Sequence, residues 1–545
     1  MQITHRKNEV KFLSRILKHR IIGTFVALCF SLSSLAQTLA YYDCLVYYRD
    51  GDYAKAIDCF SNYLQRNPKD VDVLNIRAKC YKYTGNYSLA FADINNAMKY
   101  HSKRALSSKD GLYTQRGTLY ADVANYTQAL KDYAAALKIN SKNTHTLFEK
   151  ADLYYNLGNY SASDAAWKQI LKIEKHNVNA QIGLARNMIA RDQIDEAITE
   201  IDRLEKINAN NPYIFEFRSK AYGKKGNYQK AIDDLIYWCY IDGINGEKEK
   251  MLLEYAEHEF AYALEKIREM IVKEKDDKVQ WRYLKTSLYE DNEMYREAID
   301  EYNTVEALLP APKKHIFYNR GRCYSRMDEY DKAIADFDAG ILLQADAYLY
   351  LFRAEAKRSK GDYTSAITDF TKAIDLEPMN GYAYYKRGWT KVFDKDFQGA
   401  LKDYTTSIEL DNDRAYTYFA RGDLYQTELN QPELAEKDYR MALSLENEVA
   451  KRGNCRQYAL FHVGKIDEAI AFQQAILDKY PTSENYYDAA CLYSRMNRPT
   501  DAINFLQTAF EKGYRSFVHI EHDIYLNNIR KTPEYLKLIE EWKSK

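Results

Sequence analysis

Proline and glycine are scarce in this chain, nine and 21 of 545 residues. So few turn formers exclude a sandwich or barrel of many short strands. Neither sign of charge is in excess, because Lys plus Arg and Asp plus Glu both total 78. A nucleic-acid binder needs a basic footprint, so that class is excluded. No two cysteines form a C-x-x-C pair. Beyond residue 36 the cysteines are Cys44, Cys59, Cys80, Cys239, Cys323, Cys455 and Cys491, an odd number in helical patterns. Structural thiols are expected, with neither a disulfide framework nor a zinc site. The motifs of catalysis are missing too: G-x-S-x-G, a Walker loop, H-E-x-x-H and a dinucleotide fingerprint. The two glycines of "GKKGNY" at 223–228 mark a turn. Carboxylates are abundant and are assigned to solvated helix faces. No cofactor or metal is implied.

What is present is a large apolar inventory. Hydrophobic residues make up 46% and aromatics 14%, with 50 tyrosines, which excludes global disorder. The reading is strongly helical.

The N-terminus is asymmetric. Residues 1–20 carry Arg6, Lys7, Lys11, Arg15, Lys18 and Arg20 against Glu9, and the uncharged "IIGTFVALCFSLSSLA" follows. Ser34-Leu35-Ala36 supplies small residues for signal peptidase, which makes Gln37 the first mature residue. Residues 1–36 therefore read as a Sec signal peptide, and the chain as periplasmic or envelope-associated. The alternative is an uncleaved anchor, the only way this chain would meet a membrane. Cys29 follows Leu28 inside the apolar run and is a poor lipidation site.

Internal periodicity organises the rest. One aromatic or apolar position recurs at Tyr53, Tyr87, Tyr126, Tyr160, Ile194, Tyr228, Tyr295, Tyr330, Tyr363 and Phe397. The steps are 34, 39, 34, 34, 34, 67, 35, 33 and 34. The step of 39 contains a five-residue insertion near "RALSS", and the step of 67 hides a degenerate unit near 246–278. A small residue follows three later at Ala56, Ala90, Ala129, Ser163, Ala197, Ala231, Ala298, Ala333, Ala366 and Ala400. It continues at Ala435, Ala469 and Ala502, with Ala263 in the degenerate slot. About fourteen units result.

One unit shows the logic. "YAYYKRGWTKVF" is an amphipathic helix, "DKDF" turns the chain, and "FQGALKDYTTSIEL" is a second helix. Gly388 is placed facing Ala400 so that the helices approach closely, and Tyr404 and Ile408 fill the seam to the next unit. Pro68, Pro310, Pro378 and Pro481 stop second helices. The N-x-S/T triplets at Asn86, Asn125 and Asn159 fall in the same turn and need no glycosylation.

This register resembles the tetratricopeptide repeat, a helix-turn-helix unit of 34 residues. Tyr113, Gly117, Tyr120, Tyr126, Ala129, Tyr133 and Ala136 carry the match, and Gly321, Gly388 and Gly422 repeat its small position. The resemblance implies an all-α fold, a right-handed α-solenoid, with arrays at 37–245 and 279–514 after the signal peptide read at 1–36. The charged unit at 246–278 is a degenerate joint. Residues 515–545 break the period and are similar to the closing segment of exported bacterial arrays. Solenoids need such a cap because the last unit has no neighbour. His519 and His522 within it have no third ligand nearby and read as structural.

The resemblance also implies a concave groove, lined by first helices, that binds a peptide or protein. Its register places His315, Tyr318, Arg322 and Arg326 there, then Tyr348, Leu351, Glu355 and Arg358. Tyr382, Tyr385, Trp389 and Phe393 follow, then Tyr416, Phe419 and Asp423. The candidate partner-binding set is Tyr318, Arg322, Arg326, Tyr348, Arg358, Tyr382, Tyr385, Trp389, Tyr416 and Phe419, residue types that dominate interfaces. Stacking of the same rings inside the solenoid is the alternative, and the register leaves both readings open. A milder N-terminal groove would offer Asp72, Asn75, Lys79, Phe148, Asp152 and Tyr155. The repeats leave no stretch for a catalytic domain. The expectation is an exported non-catalytic scaffold, with a glycan-binding surface protein as the alternative and an enzyme as the weakest reading.

Overall fold

The computed structural model describes residues 41–103, 105–274, 278–446 and 454–544. Residues 1–36, expected to be a signal segment, and Cys29 within them lie outside the described residues. The described residues contain helices and no strand. They divide into two compact units, one up to Lys248 and one from Glu249 onward.

Each unit is a run of helix hairpins. Second helices begin at Tyr53, Tyr87, Tyr126, Tyr160, Ile194, Tyr228, Tyr295, Tyr330, Tyr363 and Phe397, at the recurring position of the sequence. The small residue three later is fully buried in every hairpin, Ala56 through Ala502. At this point a larger side chain would push the two helices apart. The turn before each second helix passes through the left-handed region. Gly51, Gly85, Gly158, Gly226, Gly361 and Gly464 take it, while Ala124, Asp192, Glu293, Asp328, Lys395, Asn430 and Asn497 also adopt a positive φ. The turn geometry is therefore kept where its residue preference is not.

The degenerate unit is a long helix, Gly246–Lys273, broken by non-helical backbone at Glu259. No glycine or asparagine marks a turn there, so the chain kinks instead of looping. Ala263 is fully buried, with Phe260 three residues before it in the aromatic slot.

Small first-helix residues meet large second-helix rings. A Cβ added at Gly321 would lie 2.7 Å from the Phe337 ring, and one at Gly388 would lie 3.1 Å from the Tyr404 ring and 3.2 Å from the Ala400 carbonyl oxygen. Gly388 therefore faces mainly Tyr404 and only the backbone of Ala400.

The charged groups correct the expectation of solvated carboxylates. Asp93, Asp132, Asp234, Asp336, Asp369, Asp403 and Asp438 are buried on second helices. Each receives a two-nitrogen fork from a first-helix arginine 16 or 17 residues earlier. The arginines are Arg77, Arg116, Arg218, Arg320, Arg353, Arg387 and Arg421, at 2.6–2.9 Å. Lys285 and Glu301 substitute for the pair in the hairpin at 278–308, 2.5 Å apart. The remaining arginine nitrogen reaches back to the preceding second helix. Arg77 donates to Ser61 at 2.9 Å, Arg320 to Asn303 at 2.7 Å, and Arg387 to Thr371 at 3.1 Å. One side chain thus ties three helices. Burial is tolerated because both oxygens of each carboxylate accept from the guanidinium.

Two other expectations change. Cys44 and Cys59 form a disulfide, with Cα atoms 5.4 Å apart on the two helices of the first hairpin. Their spacing of 15 residues places them across a hairpin, which a search for C-x-x-C cannot register. Cys80, Cys239, Cys323, Cys455 and Cys491 are free and buried. Asp72 and Asn75 are not free groove residues. The Asp72 carboxylate accepts from the backbone of Leu106 and Ser107, and Asn75 donates to the Ser107 hydroxyl, so both hold the insertion. Asn125 and Asn159 cap their second helices by accepting from Gln128 and Ala162.

Removing one partner of a buried pair leaves the other charge uncompensated. Asp403→Ala is expected to lower stability by about 3 kcal/mol. The double change Arg387→Met/Asp403→Leu should cost less than Asp403→Ala alone, as read from urea midpoints. Gly321→Ala should cost about 1–3 kcal/mol by overpacking against Phe337, more than Gly388→Ala, where the clearance is larger. Thermal melts of the two variants rank them.

Candidate functional site

The tail does more than cover the last hairpin. Its helix Pro533–Lys543 packs on Pro499–Glu511, with Phe510 and Trp542 rings 5.6 Å apart. Residues 517–526 instead return to earlier hairpins of the same unit. Tyr525 donates to Asp423 at 3.1 Å, and the His522 ring lies 6.1 Å from Tyr363. Asp523 anchors the return by accepting from Tyr487 at 2.7 Å and from the backbone of Tyr525 at 2.8 Å.

Between this segment and the first helices Gly381–Phe393, Ala415–Thr427, Arg456–His462 and Ser483–Arg495 lies a cavity of about 750 Å³. A smaller one of about 180 Å³ adjoins it, lined by Arg358, Ser359, Tyr363, Ser516 and Val518, and both share Trp389, Phe393, Tyr514 and His519.

The predicted residues separate into two groups. Tyr382, Tyr385, Trp389, Tyr416 and Phe419 line the large cavity, and Arg358 lines the small one. Tyr318, Arg322, Arg326 and Tyr348 line neither. The stacked and open readings both describe part of the first group. The Tyr385 ring lies 4.6 Å from Tyr416 and 6.4 Å from Trp389, and Trp389 lies 6.0 Å from Phe393. These half-buried rings pack along the helix while one side borders the cavity. Phe419 is buried between Tyr439 and Tyr458, 5.8 Å from each, so it is a core residue. In the second group Tyr348 is 55% exposed and Arg326 is exposed, while Arg322 lies over Tyr318 and Phe352.

The register missed the far wall: Tyr458, Tyr487, Asp488, Tyr514, Asp523 and Tyr525. Tyr458 and Tyr487 occupy first helices and were within reach of the same periodic reading. Tyr514, Asp523 and Tyr525 were not, because their place depends on the tail folding back.

Charges around the cavities are mostly matched. Burial raises the Asp423 carboxyl against the opposing pull of Arg495 and Tyr525; Arg495 donates to it at 3.1 Å. Glu355 is raised by burial, but Lys386 at 2.8 Å outweighs that and holds it below the ordinary carboxylate range. His462 is pushed down to about 3 by burial and then by Arg495, so its neutral Nε2 sits 2.8 Å from that guanidinium. His519 is lowered by burial and lies 3.6 Å from Asp523. The His522 Nδ1 lies 2.8 Å from the Val518 carbonyl. No cluster of three metal-ligating side chains occurs among the described residues.

Asp488 differs. Its carboxylate makes no hydrogen bond or ion pair among the described residues; burial, then Asp523 and Glu484, push it up to about 7. A carboxyl raised on folding binds its proton more tightly when folded. It therefore destabilises the fold as pH rises from its unfolded value near 4 through 7. Asp488→Asn should raise the melting temperature most at pH 8, less at pH 5 and little below pH 4, as measured by calorimetry across that range.

Tetratricopeptide repeat models match residues 45–100, 111–143, 165–221, 315–346 and 347–380. Among curated relatives, the chain is 21% identical to the Dictyostelium discoideum DnaJ homolog subfamily C member 7 homolog, over 62% of this chain and 61% of that one. It is 24% identical to DnaJ homolog subfamily C member 3 of Gallus gallus, over 36% of this chain and 41% of that one. The chain thus spans about three fifths or less of these relatives' own length. Similar solved structures include the APC/C hetero-tetramer Cut9–Hcn1, 13% identical over 92% of this chain and 95% of that one with a TM-score of 0.34. Another is a tetratricopeptide repeat protein from Parabacteroides merdae, 19% identical over 56% and 93% with a TM-score of 0.26. The described helix hairpins keep the register of the matched models, so the chain carries tetratricopeptide repeats at these residues.

Proposed function

We propose that this chain is an exported, non-catalytic scaffold that holds a protein or peptide partner on the first-helix face of its C-terminal hairpins. The observation that carries the reading is the open face around Tyr318, Arg322, Arg326 and Tyr348. Tyr348 stands 55% exposed, Arg326 is exposed, and the Arg322 guanidinium lies 5.5 Å over the Tyr318 ring. Neighbouring arginines are consumed by buried carboxylates, whereas the nearest carboxylate to Arg322 is Glu290 at 3.9 Å. Tyr and Arg together on one face are residue types enriched at interface hot spots. Tetratricopeptide arrays bind protein partners generally, which supports the class of ligand.

Two observations support export. Residues 1–36 have the basic, apolar, small-residue order of a secretory signal. The Cys44–Cys59 bond suits an oxidising compartment. No helix of the described residues is long and apolar enough to cross a membrane.

A photo-crosslinking residue at Tyr348 should capture a specific protein in envelope fractions. Arg322→Glu should weaken that capture about tenfold while the melting temperature stays near wild type. Undiminished capture by Arg322→Glu, or capture lost together with the fold, would reject the face. The purified envelope form should begin at Gln37; retention of residues 1–36 would favour the anchored alternative.

A further inference from the structure

Two partly buried charged side chains at the adjoining cavities are left without partners. The Arg358 guanidinium makes no hydrogen bond or ion pair among the described residues, and its Nε is fully buried without an acceptor. It lies 4.3 Å over the Trp389 ring at the small cavity. Asp488, at the large cavity, offers a carboxylate equally without donor. Among the other charges, Asp423 accepts from Arg495, Lys386 pairs with Glu355 and Asp523 accepts from Tyr487, while Lys395 and Glu428, which also line the large cavity, are exposed to solvent.

Burying an unpaired polar group costs free energy, and the cost is larger for a charge. Two such groups of opposite sign, at cavities that share four wall residues, are both relieved by a single molecule carrying both charges. The space between them is walled by aromatic rings. Trp389 and Phe393 border both cavities; Tyr385 borders the larger one, as does Tyr487, stacked 4.4 Å from Tyr514. A cavity near 750 Å³ lies within the range of small-molecule sites.

We propose that the joined cavities beneath the returning C-terminal segment bind an amphoteric aromatic molecule, its carboxylate on Arg358 and its ammonium on Asp488. An aromatic amino acid derivative or a short peptide with both termini free has this chemistry. The ring body stacks along Tyr385, Trp389 and Phe393, and the returning segment supplies Ser516 and His519 beside the anionic end. Glu484 adds negative charge near the Asp488 end, which disfavours a purely anionic ligand there. This site is separate from the Tyr318–Tyr348 face, so its failure leaves the scaffold reading standing.

Isothermal titration with the dipeptide Phe-Tyr tests the proposal on the full mature chain. Four forms are compared: both termini free, C-terminal amide, N-acetyl acid, and doubly capped. The free form should bind tightest, and each single cap should weaken it at least about tenfold. Arg358→Gln should abolish the difference between acid and amide while keeping the preference for a free amine. Asp488→Asn should do the reverse. Equal binding of the doubly capped form would show a merely apolar cavity and overturn the proposal. Charge preferences unmoved by the two variants, or no heat from any form at millimolar concentration, would overturn it as well. A longer peptide with internal Lys and Asp, capped at both ends, distinguishes side-chain charges from free termini as the source.

Discussion

A single guanidinium geometry holds the hairpins in order. Two nitrogens of each clamp arginine lie against a carboxylate of its own hairpin, and the third points to the hairpin before. Arg218 shows the arrangement fully, donating to Asp234 at 2.8 Å and back to Asp202 at 2.8 Å. Hydrophobic burial drives the helices together but is indifferent to register. A planar fork with fixed donors is not indifferent, because a slip along the helix strands a buried carboxylate. Lysine can take the position only with a longer acid, as Lys285 does with Glu301. Where the pair is absent other contacts take over. Trp167, fully buried, fills the hairpin at 144–173; in the hairpin at 456–479 the clamp positions hold Arg456 and Phe472, with the guanidinium 5.9 Å from the ring, and the buried Gln457 and Gln473 take the places of the glycine and the ring beside them.

Most of the fold was legible because it is periodic. Tyr363 and Ala366 mark where a second helix begins and where it touches the first, and the same offsets recur throughout. The clamp was equally periodic, since Arg387 precedes Gly388 and Asp403 precedes Tyr404 in the manner of Arg320-Gly321 and Asp336-Phe337. It went unread because charged residues are assigned to solvent by default, whereas the pairing that permits burial is a property of two helices together. Cys44 and Cys59 escaped for the same reason.

The candidate site was legible in half. Register alone brings Tyr382, Tyr385, Trp389 and Tyr416 to one wall of the cavity. Nothing periodic reports that Asp523 and Tyr525 form the other, because the tail has left the repeat. Whether a ring is open or packed was a false choice at Tyr385, which stacks on Tyr416 and Trp389 and borders the cavity at once.

The returning tail changes the folding problem of the unit that contains it. A stack of hairpins touching only their neighbours folds as a one-dimensional chain, able to start anywhere and fray from either end. The bond from Tyr525 to Asp423 spans 102 residues, and His522 meets Tyr363 from farther still. Such contacts form only after the intervening hairpins are in place, so they carry a large loop-closure cost and raise the contact order. Once made, they couple the hairpin at 347–376 to the end of the chain. The stretch from there to the tail then melts as one cooperative block, where an open array would unzip hairpin by hairpin.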